Sequence, residues 1–171
     1  MQRILVIGSG GAGKTTLALR VGERLRLPVI HLDAYYWRAD WEATPKPEWE
    51  AQVATLIGRD AWVMDGNYSG TLDLRVAAAD TIVFIDLPRI VCLWRVLKRR
   101  LRFNGRARPE MNPRCEERLS WEFIDWVLKY PGRARERVLD RLREVAAEKR
   151  VVILRSQGEV DRFVEGLPRT A

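Results

Sequence analysis

The chain is poor in the residues that build most small reactive sites. Its 171 residues include one histidine, His31, and two cysteines, Cys92 and Cys115. A histidine-rich zinc site is thereby excluded, as is a Ser-His-Asp triad on any other histidine. Two widely separated thiols make neither a metal-ligand spacing nor a disulfide framework. No apolar run nears the roughly 18–20 residues of a membrane span. The opening Met1-Gln2-Arg3 leads into too few apolar residues for a signal-peptide core. A cytoplasmic location with no membrane partner is expected. Repeats, low-complexity tracts and interdomain linkers are also lacking, so residues 1–171 are expected to form a single domain.

What is present is an ordinary globular composition, 47% hydrophobic and 31% charged, with a net charge of +7. The charge is uneven. Residues 1–94 net −1 and residues 119–171 net +2, whereas residues 95–118 carry nine basic and three acidic side chains, a net of +6. That stretch invites an anion: the phosphates of a small molecule or a nucleic-acid backbone.

Five short apolar runs read as buried parallel strands: 3–7, 28–32, 61–64, 81–85 and 151–154. Helical spacing appears over 14–25, 48–57, 90–101, 115–130, 133–149 and 159–167. Residues 33–46 read as irregular, and Pro131-Gly132 as a helix break. Strands alternating with helices predict an α/β fold with a parallel sheet covered on both faces.

Gly8-Ser9-Gly10-Gly11-Ala12-Gly13-Lys14-Thr15-Thr16 matches G-x-x-x-x-G-K-[ST], with a strand before it and a helix after it. Glycines let the backbone curl so that successive N–H groups meet one anion, and the helix N-terminus adds its positive dipole end. Lys14 is expected to reach the terminal phosphates of ATP, and the Thr15 hydroxyl to ligate Mg²⁺. The motif alone leaves the reaction open. A GTPase should carry N-K-x-D, which is missing, and a chain of this length suits a small phosphotransferase.

Asp33 closes the second strand, at the edge where a parallel sheet faces its ligand crevice. His31 lies inside that strand and reads as a buried, hydrogen-bonded structural residue. Tyr36, Trp37 and Trp41 follow Asp33 and either stack on a flat acceptor or fill a small core.

Over nearly its whole length the sequence resembles the adenylate-kinase-like P-loop kinases, most of all the branch known as DNA topology modulation proteins. The resemblance rests on Gly8–Thr16, His31-Leu32-Asp33 with Trp37, Trp62-Val63-Met64-Asp65-Gly66-Asn67-Tyr68, Asp86-Leu87-Pro88 and Arg95-x-x-x-Arg99-Arg100. It implies a three-layer αβα P-loop fold with a five-stranded parallel sheet and a small helical lid over residues 99–118. Residues 33–60 would be an acceptor-binding insertion. By this likeness Asp65 holds Mg²⁺ with Thr15, and Asp33 accepts the proton of the acceptor hydroxyl. Arg95 packs on the adenine and Arg99 reaches phosphate, while Trp37, Asn67, Tyr68 and Arg133 meet the acceptor. In the family the Asp-Gly is followed by Phe-Pro-Arg. Here Asn67-Tyr68-Ser69 intervene, and Arg75 is the candidate to replace that arginine as an acceptor clamp.

The expected activity is transfer of the ATP γ-phosphate to a nucleotide or hydroxyl metabolite, with Lys14, Asp33, Asp65 and Arg99 as catalytic groups. The alternatives are a nucleic-acid-associated ATPase that regulates DNA topology, and a nucleotide-binding protein without efficient chemistry.

Overall fold

The computed structural model describes residues 1–117 and 120–168, with Arg133 described by its backbone alone. Strand β1 (Arg3–Gly8) is apolar throughout its middle, and Ile4, Leu5, Val6 and Ile7 are fully buried. A strand with no polar face must be covered on both sides, which is the condition of a central parallel strand. Strands β2 (Val29–His31), β3 (Trp62–Asp65), β4 (Thr81–Ile85) and β5 (Arg150–Leu154) complete one parallel sheet in the order β2-β3-β1-β4-β5. Register places Asp65 opposite both Val6 and His31, so the carboxyl ends of three strands align beside the glycine-rich loop. The strand order turns at β1, and a crevice opens there.

Helices form two flanking layers. One sheet face packs Leu5, Ile7 and Phe84 against α3 (Lys46–Ile57), α4 (Leu72–Ala78) and α7 (Glu136–Val145). The other packs Ile4, Val6 and Val83 against α1 (Lys14–Leu25), α5 (Arg89–Arg102) and α8 (Gln157–Glu165). This is the three-layer αβα P-loop fold. Among the described residues no helix is long and apolar enough to cross a membrane.

The structure corrects several local expectations. Residues 33–46 are not wholly irregular: α2 (Leu32–Tyr36) and a 3-10 turn (Ala39–Trp41) lie there, closed by a bridge between Trp37 and Ala43. Helix α3 starts at Lys46 because Pro47 sits in its first turn, where a missing N–H costs nothing. Helix α4 falls where the sequence shows no helical period. The helix expected from Cys115 begins instead at Trp121 as α6 (Trp121–Tyr130), because Ser120 Oγ caps it by accepting from the Phe123 N–H at 3.2 Å. Leu119, assigned to that helix, lies outside the described residues.

Pro131-Gly132 does not break the helix. The chain continues through a π-helical turn (Pro131–Arg135) directly into α7. The wider turn accommodates a ring that would clash with the carbonyl four residues back in an α-helix.

Of the expected helical lid, residues 99–102 belong to α5 and residues 103–117 run through turns joined by a bridge between Ala107 and Glu116, so this described part is not helical. It leans on residues 38–42: Trp41 Nε1 donates to the Glu116 carbonyl at 2.9 Å, and Cys115 Sγ lies 3.0 Å from the Arg38 carbonyl.

Candidate functional site

A cleft of about 1230 Å³ opens at the carboxyl ends of β1, β2 and β3. That is room for a nucleotide and a second small molecule, since a single ligand site is commonly ~300–1,000 Å³. Gly10 through Thr16 line one side. Positive φ at Gly11 (78°) and Gly13 (97°) curls the backbone around the N-terminus of α1, the arrangement that collects amide N–H groups around an anion. At Gly11 no side chain is tolerated: a Cβ would lie 2.2 Å from the Cys92 carbonyl oxygen of α5. Lys14 Nζ donates to the carbonyls of Gly8 and Ser9, each at 3.0 Å. Burial pulls its pKa down, against the raising influence of Asp33 and Asp65.

Opposite the loop stand the two carboxylates. Asp65 is buried, and its Oδ2 lies 3.0 Å from His31 Nδ1. Burial lowers the imidazole pKa, but the hydrogen bond and charge of Asp65 outweigh it, and the net shift is upward. His31 is thus a hydrogen-bonded partner of Asp65. Asp33 is 42% exposed to the cleft, and its Oδ1 accepts the Tyr68 hydroxyl at 2.6 Å. Burial, together with the Asp33 charge, pushes the Tyr68 phenol well above its usual range, so it remains a donor.

The donor set suits Mg²⁺ of the P-loop kind. Thr15 and Asp65 line the same cleft, and His31 engages one Asp65 oxygen, leaving Oδ1. Among the described residues no group of three or more His, Cys, Asp or Glu could cage a metal. One hydroxyl and one carboxylate fit an ion that takes its other ligands from phosphate and water.

Arginines close the cleft. Arg95 Nη1 donates to the Ala12 carbonyl at 3.2 Å and Nη2 to Gln157 Oε1 at 2.8 Å, tying α5 to the phosphate loop and α8. Arg99 Nε bonds Glu117 Oε1 at 2.7 Å, and its guanidinium lies 5.8 Å from the Phe123 ring centre. Arg108 is 8% exposed; its Nε pairs with Glu117 Oε2 at 2.9 Å and its Nη2 approaches Asp33 Oδ2 at 3.8 Å. A continuous chain of charge thus runs from Arg99 through Glu117 and Arg108 to Asp33 and Tyr68.

Of the glycine-rich loop, Gly8, which ends β1, and Ser9, which is buried, do not line the cleft; Gly10 through Thr16, with Asp33, Trp37, Asp65, Asn67, Tyr68, Arg95 and Arg99, all border it. Arg75 does not. It is fully buried behind β3, where Nε donates to the Thr71 carbonyl, Nη1 to Gly66 at 3.0 Å and Nη2 to Tyr68. Burial lowers its pKa to about 10. The expected acceptor clamp is therefore a brace for the loop after β3, because all its donors face main-chain carbonyls. Asn67 also braces: its Oδ1 accepts from the Gly8 N–H at 3.4 Å. The Arg133 side chain and Arg118, the last residue of the expected lid, lie outside the described residues. Sequence reasoning missed the pairing role of Arg108 and Glu117. The basic run was visible, but nothing local distinguished these two from their neighbours.

No protein-family model matches the chain. The chain is similar to the uncharacterized protein YqaC of Bacillus subtilis, 26% identical over 79% of this chain and 76% of that protein. Among solved structures it resembles shikimate kinase from Acinetobacter baumannii in complex with shikimate, with a TM-score of 0.58 and 20% identity over 96% of this chain and 89% of that one. It also resembles shikimate kinase from Bacteroides thetaiotaomicron, with a TM-score of 0.53 and 14% identity over 96% and 94% of the two chains. These likenesses establish the shared P-loop fold.

Proposed function

We propose that the protein is an ATP-dependent phosphotransferase that moves the γ-phosphate to the hydroxyl of a small acceptor. The observation that carries this reading is a half-exposed carboxylate, Asp33, facing the same cleft as Lys14 and the phosphate loop. A protein that only hydrolyses or binds ATP has no use for room beyond the nucleotide with a carboxylate facing it.

In this reading the loop amides and Lys14 hold the β- and γ-phosphates. Mg²⁺ held by Thr15 and Asp65 would neutralise charge developing between those phosphates. Asp33 orients the acceptor hydroxyl and takes its proton as the acceptor oxygen bonds to the γ-phosphorus. The bond from that phosphorus to the β,γ-bridging oxygen breaks, and ADP leaves. Tyr68 keeps one Asp33 oxygen engaged and so fixes the direction of the other. Arg99, and the segment 99–118 acting as a lid, stabilise the transferring phosphoryl group and exclude water. Arg95, with Gln157, borders the nucleotide base.

The rival reading puts the basic run of residues 95–118 on a nucleic-acid backbone, in line with the resemblance to topology modulation proteins. Against it, Arg95, Arg99 and Arg108 border the cleft and Arg100 donates to the Glu117 carbonyl, so much of that charge serves internal partners. The test is ADP release with Mg²⁺ against a panel of nucleosides, sugars and hydroxy acids including shikimate, with and without DNA. Stimulation by a small acceptor is the expected result; stimulation by DNA alone would refute the proposal.

A further inference from the structure

We propose that Glu117 is a positioning residue for phosphoryl transfer: from outside the cleft it aims the Arg99 guanidinium at the phosphoryl group in transit. This deepens the phosphotransferase reading and rests on it for the role of Arg99.

Arg99 lines the cleft with Lys14, and its charge is one of the influences that lower the Lys14 pKa. The two cations therefore lie at the same, phosphate-binding end. A long arginine side chain loses rotamer freedom when it is held in one place. A guanidinium that must meet a transition state needs a partner that fixes it and leaves its donors free. Glu117 does both. Its Oε1 accepts from Arg99 Nε at 2.7 Å, while Nη1 and Nη2 have no hydrogen-bond partner among the described residues. The Phe123 ring, centred 5.8 Å from the guanidinium carbon, gives Arg99 a second support.

Glu117 is itself held from several sides. Its side chain is 3% exposed and does not line the cleft. Its N–H donates to the Arg106 carbonyl at 2.9 Å, and its own carbonyl accepts from Arg100 at 2.8 Å. Its Oε2 lies 2.9 Å from Arg108 Nε, and Arg108 in turn faces Glu110 at 3.5 Å and Asp33 at 3.8 Å. Each oxygen of the carboxylate thus serves one guanidinium. A buried carboxylate between two guanidiniums contributes little net stability, because desolvation offsets the attraction. What it supplies is direction: a charged donor set in place before charge develops on the phosphoryl oxygens.

The test uses MgADP with fluoroaluminate, a stand-in for the phosphoryl group in transfer that needs no acceptor. Calorimetry on the full chain reads MgADP affinity with and without fluoroaluminate. Wild type should bind about a hundredfold or more tighter with it. Glu117→Gln should lose about tenfold or more of that gain while binding MgADP alone within about threefold of wild type. In an Arg99→Met background the same substitution should change the gain by less than about twofold, because Glu117 acts through Arg99. Glu117→Gln strands two cations, so Glu117→Gln with Arg108→Met, which also removes one of them, serves as the second variant and should show the same loss.

Equal losses of affinity with and without fluoroaluminate would make Glu117 merely structural and overturn the inference. So would an unchanged gain, a wild type with no gain, an undiminished effect in the Arg99→Met background, or the failure of both variants to fold. The two claims fail separately. ADP release driven by a small acceptor, with a fluoroaluminate gain that ignores Glu117, overturns the inference and leaves the phosphotransferase standing. A gain lost through Arg99, in a protein that no small acceptor stimulates, refutes the phosphotransferase and leaves the aim of Arg99 in place.

Discussion

Replacing Arg75 by methionine separates a structural brace from a substrate clamp. The side chain is wholly buried and donates to three main-chain carbonyls, those of Gly66, Tyr68 and Thr71. Hydrogen bonds from a charged donor contribute about 1.5–3 kcal/mol each, and methionine restores none of them. An opposing contribution comes from removing a buried charge. The guanidinium pKa is pushed down to about 10, which corresponds to a burial cost on the order of 3 kcal/mol. The balance is a destabilisation of about 2–5 kcal/mol. In a chain of this size that lowers Tm by roughly 5–15 °C. Denaturant and thermal unfolding measure it, and Arg75→Lys, which keeps the charge but loses the fork, should fall between. At a temperature where the methionine variant is folded, ATP binding should remain within a few-fold of wild type. A variant as stable as wild type that has lost acceptor binding alone would refute the reasoning and restore the clamp.

Three further outcomes follow from particular contacts. Gly11→Ala, at a positive φ and with its Cβ driven 2.2 Å from a main-chain oxygen, should cost about 1–3 kcal/mol of stability and abolish ATP binding, measured by unfolding and calorimetry. Tyr68→Phe, which removes the 2.6 Å hydrogen bond to Asp33, should lower kcat by about tenfold or more with the KM for ATP unchanged. The single histidine gives one assignable proton NMR titration. With a chelator present its midpoint should lie above ~6.5 and fall in Asp65→Asn, because the hydrogen bond and charge of Asp65 outweigh burial. Since the folded-state value is raised, the stability this pair contributes is complete below pH ~6.5 and is lost as pH rises through the folded-state pKa.

Sequence carried the parts of the molecule in which local chemistry and tertiary role coincide. The strand from Arg3 and the helix from Lys14 were legible because an apolar run, a glycine loop and an amphipathic period follow one another without ambiguity. Helix α4 escaped because seven residues are too few to establish a period. Pro131-Gly132 read as a stop because proline ends most helices, and only packing reveals that the π turn brings Arg135 onto Asp86 through two 2.8 Å bonds. Arg75 read as a clamp because an arginine soon after an Asp-Gly pair has no mark telling it to turn inward. Asp33 was expected to close the second strand; β2 stops at His31 because the chain turns into α2, and Asp33 sits in that helix's first turn, still on the cleft. Its coupling to Tyr68 and Arg108 joins residues distant in sequence, which no spacing rule records.

The most direct test of the account is ADP release by wild type and by Lys14→Ala, each saturated with Mg²⁺ and the best acceptor, alongside a fold check by circular dichroism. The account predicts an intact fold and turnover reduced to background, because the terminal phosphates lose the one ammonium that the loop presents to them. Turnover undiminished in a folded Lys14→Ala protein would contradict it.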